Sequence, residues 1–141
     1  HVLAGRPHHP RGLLELDEPA LRSVGLSSGK ARYVHNLAAA VADGSVPVDQ
    51  FDDSWDDDAI VESLTSIKGV GVWTAHMFLI FVLNRPDVLP VGDLGVRAGL
   101  RDWHGLAELP KPRDCHALAE PWRPYRSVAS WYLWRNGDVP Q

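Results

Sequence analysis

Two short segments of the sequence carry residues whose types and spacing suit chemistry. The first, LTSIKGVGVWTA at residues 64–75, holds Gly69 and Gly71 around the apolar Val70. Glycines let a backbone turn sharply and approach a ligand closely. The amides that open the next helix, from Val72 onward, then offer a site for a phosphate oxygen without a large positive charge. A Gly-x-Gly segment between helices is also a common ordinary turn, so the pattern alone leaves both interpretations open.

The second segment is LPVGDLGVR at residues 89–97, which contains Asp93. An aspartate at the start of a helix accepts hydrogen bonds from backbone amides, and its position alone favours this N-cap role. A carboxylate kept ionised near a helix N-terminus is also suited to stabilising positive charge on a reacting centre. Asp93 is therefore both a predicted helix cap and a candidate catalytic group.

Histidine and cysteine do not form a metal-binding pattern. His8 and His9 are adjacent in an irregular opening segment, and His76, His104 and His116 lack ligand spacing. Cys115 is the only cysteine, which excludes an intrachain disulfide and a cysteine-ligated cluster. We expect chemistry without a transition metal.

The charge distribution permits a nucleic-acid partner despite a net charge of −4. Six of the 18 acidic residues lie in the segment Asp49–Asp58. The rest of the chain has 14 basic and 12 acidic residues and is therefore slightly basic. The apolar run around Met77–Leu83 is far shorter than the ~20 residues of a membrane span. With 45% hydrophobic and 23% charged residues, the composition is that of a soluble globular protein.

The elements that must position these groups are predicted to be helices. Capping residues, helical apolar spacing and terminal glycine or proline indicate a series of short helices, and no segment has a convincing β-hairpin pattern. We predict one all-α domain over residues 1–141. The first predicted helix is capped by Asp17 and ends at Gly25, and the second is capped by Ser27 and ends at Gly44. The third runs from Ser54 or Asp56 to Ile67, and a later helix starts near Asp93. The remaining predicted helices cover residues 72–84, 111–122 and 124–137.

Three motifs in the same order resemble those of the HhH-GPD DNA glycosylases. The hairpin at residues 64–75 is similar to their apolar-Pro-Gly-apolar-Gly pattern followed by Thr-Ala, with Lys68 in place of the proline. The loop at residues 89–97 is similar to their Gly/Pro-rich loop and aspartate. WRPYRSVASWYLWR resembles their Trp-x-Pro-x-Arg-Ser-x-Ala segment and aromatic final helix, here residues 124–136. The fold implied is the helix-hairpin-helix glycosylase fold, without its N-terminal helices.

The resemblance implies excision of alkylated purines, of the 3-methyladenine type, from DNA. Asp93 is then the catalytic residue, and Trp73, Met77 and Trp134 form the base pocket. Alkylation leaves the purine cationic, and an aromatic face attracts a cation. Strand-cleaving relatives have a lysine nucleophile where this chain has Trp73, so base excision without strand cleavage is expected. Trp122, Tyr125 and Trp131 could be core or interface aromatics, and we expect them in the core.

The resemblance also implies the groups that hold the DNA. The expected phosphate contacts lie on the hairpin and in the third motif, and relatives bind a monovalent cation, Na⁺ or K⁺, through hairpin carbonyls. No other cofactor is expected. The DNA-binding set is Lys68, Gly69, Val70, Gly71, Thr74 and Arg126, and the cation carbonyls are those of Thr65, Ile67 and Val70.

The expected partner is double-stranded DNA that contains a damaged base, bound by a monomer with no membrane association. The protein is expected in the bacterial cytoplasm with the nucleoid, or in the nucleus of a eukaryote. Relatives carry upstream helices with a Gly-Gln-rich motif and a wedge residue, which are not evident here. A noncatalytic helix-hairpin-helix module and an inactive, truncated glycosylase therefore stay open as alternatives.

Overall fold

The structure, a computed structural model, describes residues 10–137, and within them it contains helices, turns and loops but no strand. The predicted all-α class is confirmed. The opening histidines, His8 and His9, lie outside the described residues. The eight α-helices are α1 Pro10–Leu14, α2 Glu18–Ser23, α3 Ser28–Ala42, α4 Asp57–Thr65, α5 Val72–Phe81, α6 Leu94–His104, α7 Pro112–Ala119 and α8 Arg126–Gly137, with 3-10 turns at Val48–Gln50 and Glu120–Trp122.

Four helices begin at the capping residues that the sequence indicates. Asp17 accepts a hydrogen bond from the Ala20 amide at 2.8 Å, and Ser27 caps α3 in the same way. Of the two candidates for α4, Asp56 is the cap, and Asp93 caps α6. Each side chain satisfies an amide that has no partner inside its helix.

Two features differ from the prediction. The helix α1 lies in a segment without periodicity, because five residues are too few to show a 3.6-residue repeat. Residues 111–122 form α7 followed by a 3-10 turn rather than one helix. Pro121 accounts for this break, since proline lacks the amide hydrogen that a continuing helix needs.

The chain divides into two compact units, residues 1–71 and 72–141, and the boundary falls in the hairpin segment after Gly71. In the first unit α1 and α2 pack on α3. The buried core there contains Leu16, Leu21 and Ala31.

In the second unit α6 packs against α8 and α7. Gly99 makes the close approach possible, because a Cβ at that position would stand 2.8 Å from the carbonyl oxygen of Leu133. The buried core of this unit includes a cluster formed by Leu89, Val96, Leu100, Cys115, Ala119 and Leu133.

Cys115 is fully buried in this core, and its Sγ lies 3.7 Å from the carbonyl oxygen of Pro110. Burial raises the pKa of the thiol. Within residues 10–137 no group of three histidine, cysteine or acidic side chains is placed to share a metal ion. None of the helices described is both long and apolar enough to cross a bilayer.

Candidate active site

Asp93 receives hydrogen bonds from three parts of the second unit. Its Oδ2 accepts the Val96 amide of α6 at 2.9 Å, as expected of an N-cap. The indole Nε1 of Trp73, on α5, donates to Oδ1 at 2.8 Å. The indole Nε1 of Trp134, on α8, donates to Oδ2 at 2.7 Å. The predicted cap and the predicted catalytic group are thus the same half-buried carboxylate.

These contacts set the ionisation of Asp93. Partial burial on its own raises the pKa of this carboxyl. The hydrogen bonds from Trp134 and Trp73 oppose that effect, and the backbone amides of Val96 and Gly95 add to them. The pKa of Asp93 lies below its ordinary value of 3.8, so the group is an anion at neutral pH.

Gly95 lets Trp134 reach the carboxylate. A Cβ on Gly95 would stand 2.9 Å from Cδ1 of the Trp134 indole and 3.1 Å from Oδ2 of Asp93. Both separations are shorter than ordinary carbon contacts allow. The absence of a side chain at this position is therefore a requirement of the site.

Aromatic rings continue from Trp134 along the same side of the second unit. Phe81 stacks on Trp134 with ring centroids 5.9 Å apart, and Trp131 meets both rings edge-on. Trp73 is 49% exposed, and Met77, half-buried, follows it by one turn of α5. The predicted base-pocket residues Trp73 and Trp134 converge on Asp93.

The loop that leads to Asp93 is fastened to the start of α8 by the third motif. The Ser127 hydroxyl donates to the Arg85 carbonyl at 2.6 Å and accepts the Val88 amide at 2.9 Å. The Arg126 guanidinium binds the Asp87 carboxylate, with Nε and Oδ1 2.8 Å apart. The Arg-Ser pair of the motif therefore fixes the loop between α5 and α6.

This placement gives Arg126 a structural role that the sequence did not indicate. The residue is only 7% exposed, and the guanidinium is bonded to the carboxylate and the carbonyl of Asp87. Its contact with a DNA phosphate stays a prediction. Tyr125 and Trp131 are not core residues, since they are 63% and 50% exposed, whereas Trp122 does pack on the core.

In the first unit, the end of the hairpin segment is a tight turn supported by α3. Gly69 has a φ of +98°, a conformation that disfavours any residue with a Cβ. A Cβ there would also overlap the ring of Tyr33. The Asn36 side-chain amide donates to the Lys68 carbonyl at 2.9 Å. Two residues one turn apart on α3 thus fix the backbone of the turn.

The predicted hairpin residues differ in accessibility, and Ile67 is buried. Lys68, Gly69 and Gly71 are exposed in the turn, and Val70 is half-buried. The Ile67 carbonyl accepts the Val70 amide at 3.0 Å, and the Thr65 hydroxyl donates to the Val61 carbonyl at 2.7 Å. Thr74 is exposed on the first turn of α5.

Four residues with a part in these sites were not singled out by the sequence: Tyr33, Asn36, Asp87 and Gly95. Three of them act through contacts at 32 to 39 residues' separation, which no local pattern reveals. Gly95 did carry a signal. Glycine is a poor helix former, so a glycine in the first turn of a capped helix is worth inspecting, but Gly29 has the same position in α3 without a close neighbour, so the signal is not specific.

Comparison with known proteins identifies the family of the chain. The profile of the family described as HhH-GPD superfamily base excision DNA repair protein matches residues 6–124. DNA-3-methyladenine glycosylase 1 of Schizosaccharomyces pombe is 36% identical over 130 residues, which are 92% of this chain and 57% of that protein. An alkylbase DNA glycosidase-like protein of the same yeast is 32% identical over 126 residues, 89% of this chain and 59% of that protein.

Solved structures show the same fold. The S. pombe 3-methyladenine DNA glycosylase, in complex with abasic DNA, aligns with a TM-score of 0.85 at 34% identity, covering 93% of this chain and 64% of that one. A DNA-3-methyladenine glycosidase of Bacillus halodurans aligns with a TM-score of 0.81 at 33% identity, covering 95% of this chain and 61% of that one. The chain thus spans about three fifths of the length of these relatives. On its sequence and its fold, the chain belongs to the HhH-GPD superfamily of base excision DNA repair proteins.

Proposed function

We propose that the chain is the catalytic part of a monofunctional DNA glycosylase that hydrolyses the N-glycosidic bond of alkylated purines. The observation that carries this proposal is the Asp93 carboxylate, held as an anion between the indole N–H groups of Trp73 and Trp134. The relatives named as 3-methyladenine glycosylases support the choice of substrate.

The chemistry requires little more than these groups. Alkylation of a purine ring nitrogen gives the base a positive charge, which makes it a good leaving group. The base departs with the bonding electron pair, and positive charge develops on the deoxyribose ring until water adds to C1′. An adjacent carboxylate stabilises that charge more in the transition state than in the ground state. The exposed faces of the tryptophans suit a cationic base.

Excision without strand cleavage follows from the residue at position 73. Strand cleavage by a glycosylase requires an amine that forms a Schiff base with the sugar. Trp73 has no amine, and its indole nitrogen donates to Asp93 instead. The product of the reaction is then an abasic site in an intact strand.

DNA binding is assigned to the hairpin. Its turn exposes Lys68, Gly69 and Gly71, so backbone amides and one ammonium group are available to a phosphate. A monovalent cation at the carbonyls of Thr65, Ile67 and Val70 belongs to the same proposal. Thr65 is the last residue of α4, where carbonyl oxygens lack helical partners, and the Ile67 carbonyl, which accepts the Val70 amide, keeps a second lone pair. Such an ion would stiffen the turn and add positive potential toward the phosphate.

The test is release of an alkylated purine from a labelled duplex by this chain and by Asp93→Asn. We expect base release by the parent alone, with the strand intact until alkali is added. Strand cleavage without alkali would contradict the monofunctional assignment. Tight binding of undamaged and damaged duplex without release by either protein would favour a noncatalytic helix-hairpin-helix module.

A further inference from the structure

Two aspartates of the loop between α5 and α6 have different partners. Asp87 forms ion pairs with Arg126 at 2.8 Å and with Arg123 at 3.1 Å. Asp93 forms no ion pair with a lysine or arginine in the part of the chain that the structure describes, and its side-chain donors are the uncharged Trp73 and Trp134. The same loop therefore carries one neutralised carboxylate and one whose charge is not cancelled.

We propose that Trp73, Trp134 and Gly95 are positioning residues that hold Asp93 in one orientation with neutral donors, so that its full negative charge stays available to a cationic centre. This inference rests on the proposed function, because it specifies how that site is prepared. It assigns the indole N–H groups a role separate from any stacking of a base on the indole faces.

Neutral hydrogen-bond donors and cations leave different net charges at a carboxylate. A hydrogen bond from an uncharged N–H stabilises an anion strongly, since it is charge-assisted. It adds no net positive charge, so the field at the ligand remains that of a carboxylate. A guanidinium in the same place would stabilise the anion as well and cancel most of that field. Asp87 shows this second case.

The orientation of Asp93 is restricted at both oxygens. Trp73 occupies Oδ1, whereas Trp134 and the Val96 amide occupy Oδ2. A carboxylate whose two oxygens accept N–H groups from three elements has lost its rotational freedom. This arrangement provides the preorganisation that electrostatic stabilisation of a transition state requires.

Phenylalanine substitution separates the N–H group from the aromatic face. We would titrate the carboxyl carbon of Asp93 by NMR, without DNA, in the parent chain, Trp73→Phe, Trp134→Phe and the double variant. The assignment comes from the signal lost in Asp93→Asn. We expect the pKa of Asp93 to rise in each single variant and most in the double variant. Trp103→Phe, on an exposed tryptophan of α6, is the matched control and should leave this pKa unchanged.

A second variant tests the effect of the net charge at the site separately from the effect of the pKa of Asp93. Trp73→Arg places a cation beside Asp93, so we expect the pKa of Asp93 to stay low. Base release should nevertheless fall about tenfold or more, because the guanidinium cancels most of the field of the carboxylate at the cationic centre. A Trp73→Arg variant with a low pKa of Asp93 and full activity would overturn the proposal.

The two readouts keep this proposal distinct from the proposed function. If the parent chain releases no base, the proposed function fails, while the titration still decides whether the indoles set the state of Asp93. If both phenylalanine variants keep the parent pKa of Asp93 and only melt at lower temperature, the indoles are structural and the positioning role is wrong.

Discussion

Trp134 and Gly95 fit together so closely that a methyl group on Gly95 would stand 2.9 Å from the indole Cδ1. Gly95 is the second residue of α6, a position where glycine has no conformational advantage. Glycine at this position lowers the helix propensity of α6, but it lets the indole of Trp134 reach Asp93.

We expect Gly95→Ala to impair base release while the chain stays folded. Alanine in a helix is favoured over glycine by about 0.5–1 kcal/mol, but the methyl group must displace Trp134 from Asp93. Base release should fall about tenfold, from the loss of one charge-assisted hydrogen bond. Gly29→Ala is the control, because Gly29 is also the second residue of a helix and has open space around it. That variant should gain stability in urea and keep activity.

Substitution of the two hairpin glycines should have unequal effects. Gly69→Ala forces a Cβ into the left-handed region and into the ring of Tyr33, so we expect a loss of roughly 1–2 kcal/mol in the free energy of unfolding. Gly71 has no neighbour within 4 Å of a Cβ, so Gly71→Ala should keep its stability. A weaker affinity of Gly71→Ala for duplex DNA would then report a close approach of the backbone to the ligand. Equal melting temperatures for Gly69→Ala and Gly71→Ala would contradict the expected difference in stability.

Lys68 and Arg126 should differ in the salt dependence of DNA binding. An exposed lysine that contacts one phosphate contributes about 0.9 to the slope of log K against log salt. We expect Lys68→Gln to reduce the slope by about this amount and to leave stability unchanged. Arg126→Gln should leave the slope unchanged but destabilise the protein by about 1–3 kcal/mol, because the Asp87 carboxylate loses one of its two arginine partners. A reduced slope in a folded Arg126 variant would support the phosphate role instead.

The ion pairs of Asp87 predict that the folded protein loses stability in acid. Burial raises the pKa of Asp87, but hydrogen bonds and ion pairs with Arg126 and Arg123 lower it below 3.8. A carboxyl with a lower pKa in the folded state stabilises the protein above its unfolded-state pKa. That contribution disappears as the pH falls from about 4 through the folded-state pKa. Urea unfolding between pH 2 and 7 should show a smaller pH dependence for Asp87→Asn than for the parent chain.

The helix starts were predictable from the sequence because a cap is a local structure. Asp17, Ser27, Asp56 and Asp93 each bond an amide three residues away, so the pattern and the contact lie in the same short window. The helix α1 was not predictable on this basis, because it is shorter than the pattern that would reveal it.

The site could be predicted only in part. The resemblance to the glycosylase family indicated Asp93, Trp73 and Trp134 as site residues. It did not indicate that both indoles donate to the carboxylate, because these contacts join residues 20 and 41 positions apart. The ion pair of Arg126 could not be predicted for the same reason. Its partner Asp87 lies 39 residues away, and an arginine in a motif looks the same whether it binds a phosphate or a carboxylate.

The enclosure of Cys115 has a practical consequence for spectroscopy. The only thiol of the sequence is fully buried and its pKa is raised, so maleimide reagents, which need an accessible thiolate, will react with it slowly. A cysteine introduced by Glu62→Cys, at an exposed position of α4, would then be the fast-reacting site. A fluorophore placed there would report engagement of the neighbouring hairpin turn by DNA without removal of the native cysteine.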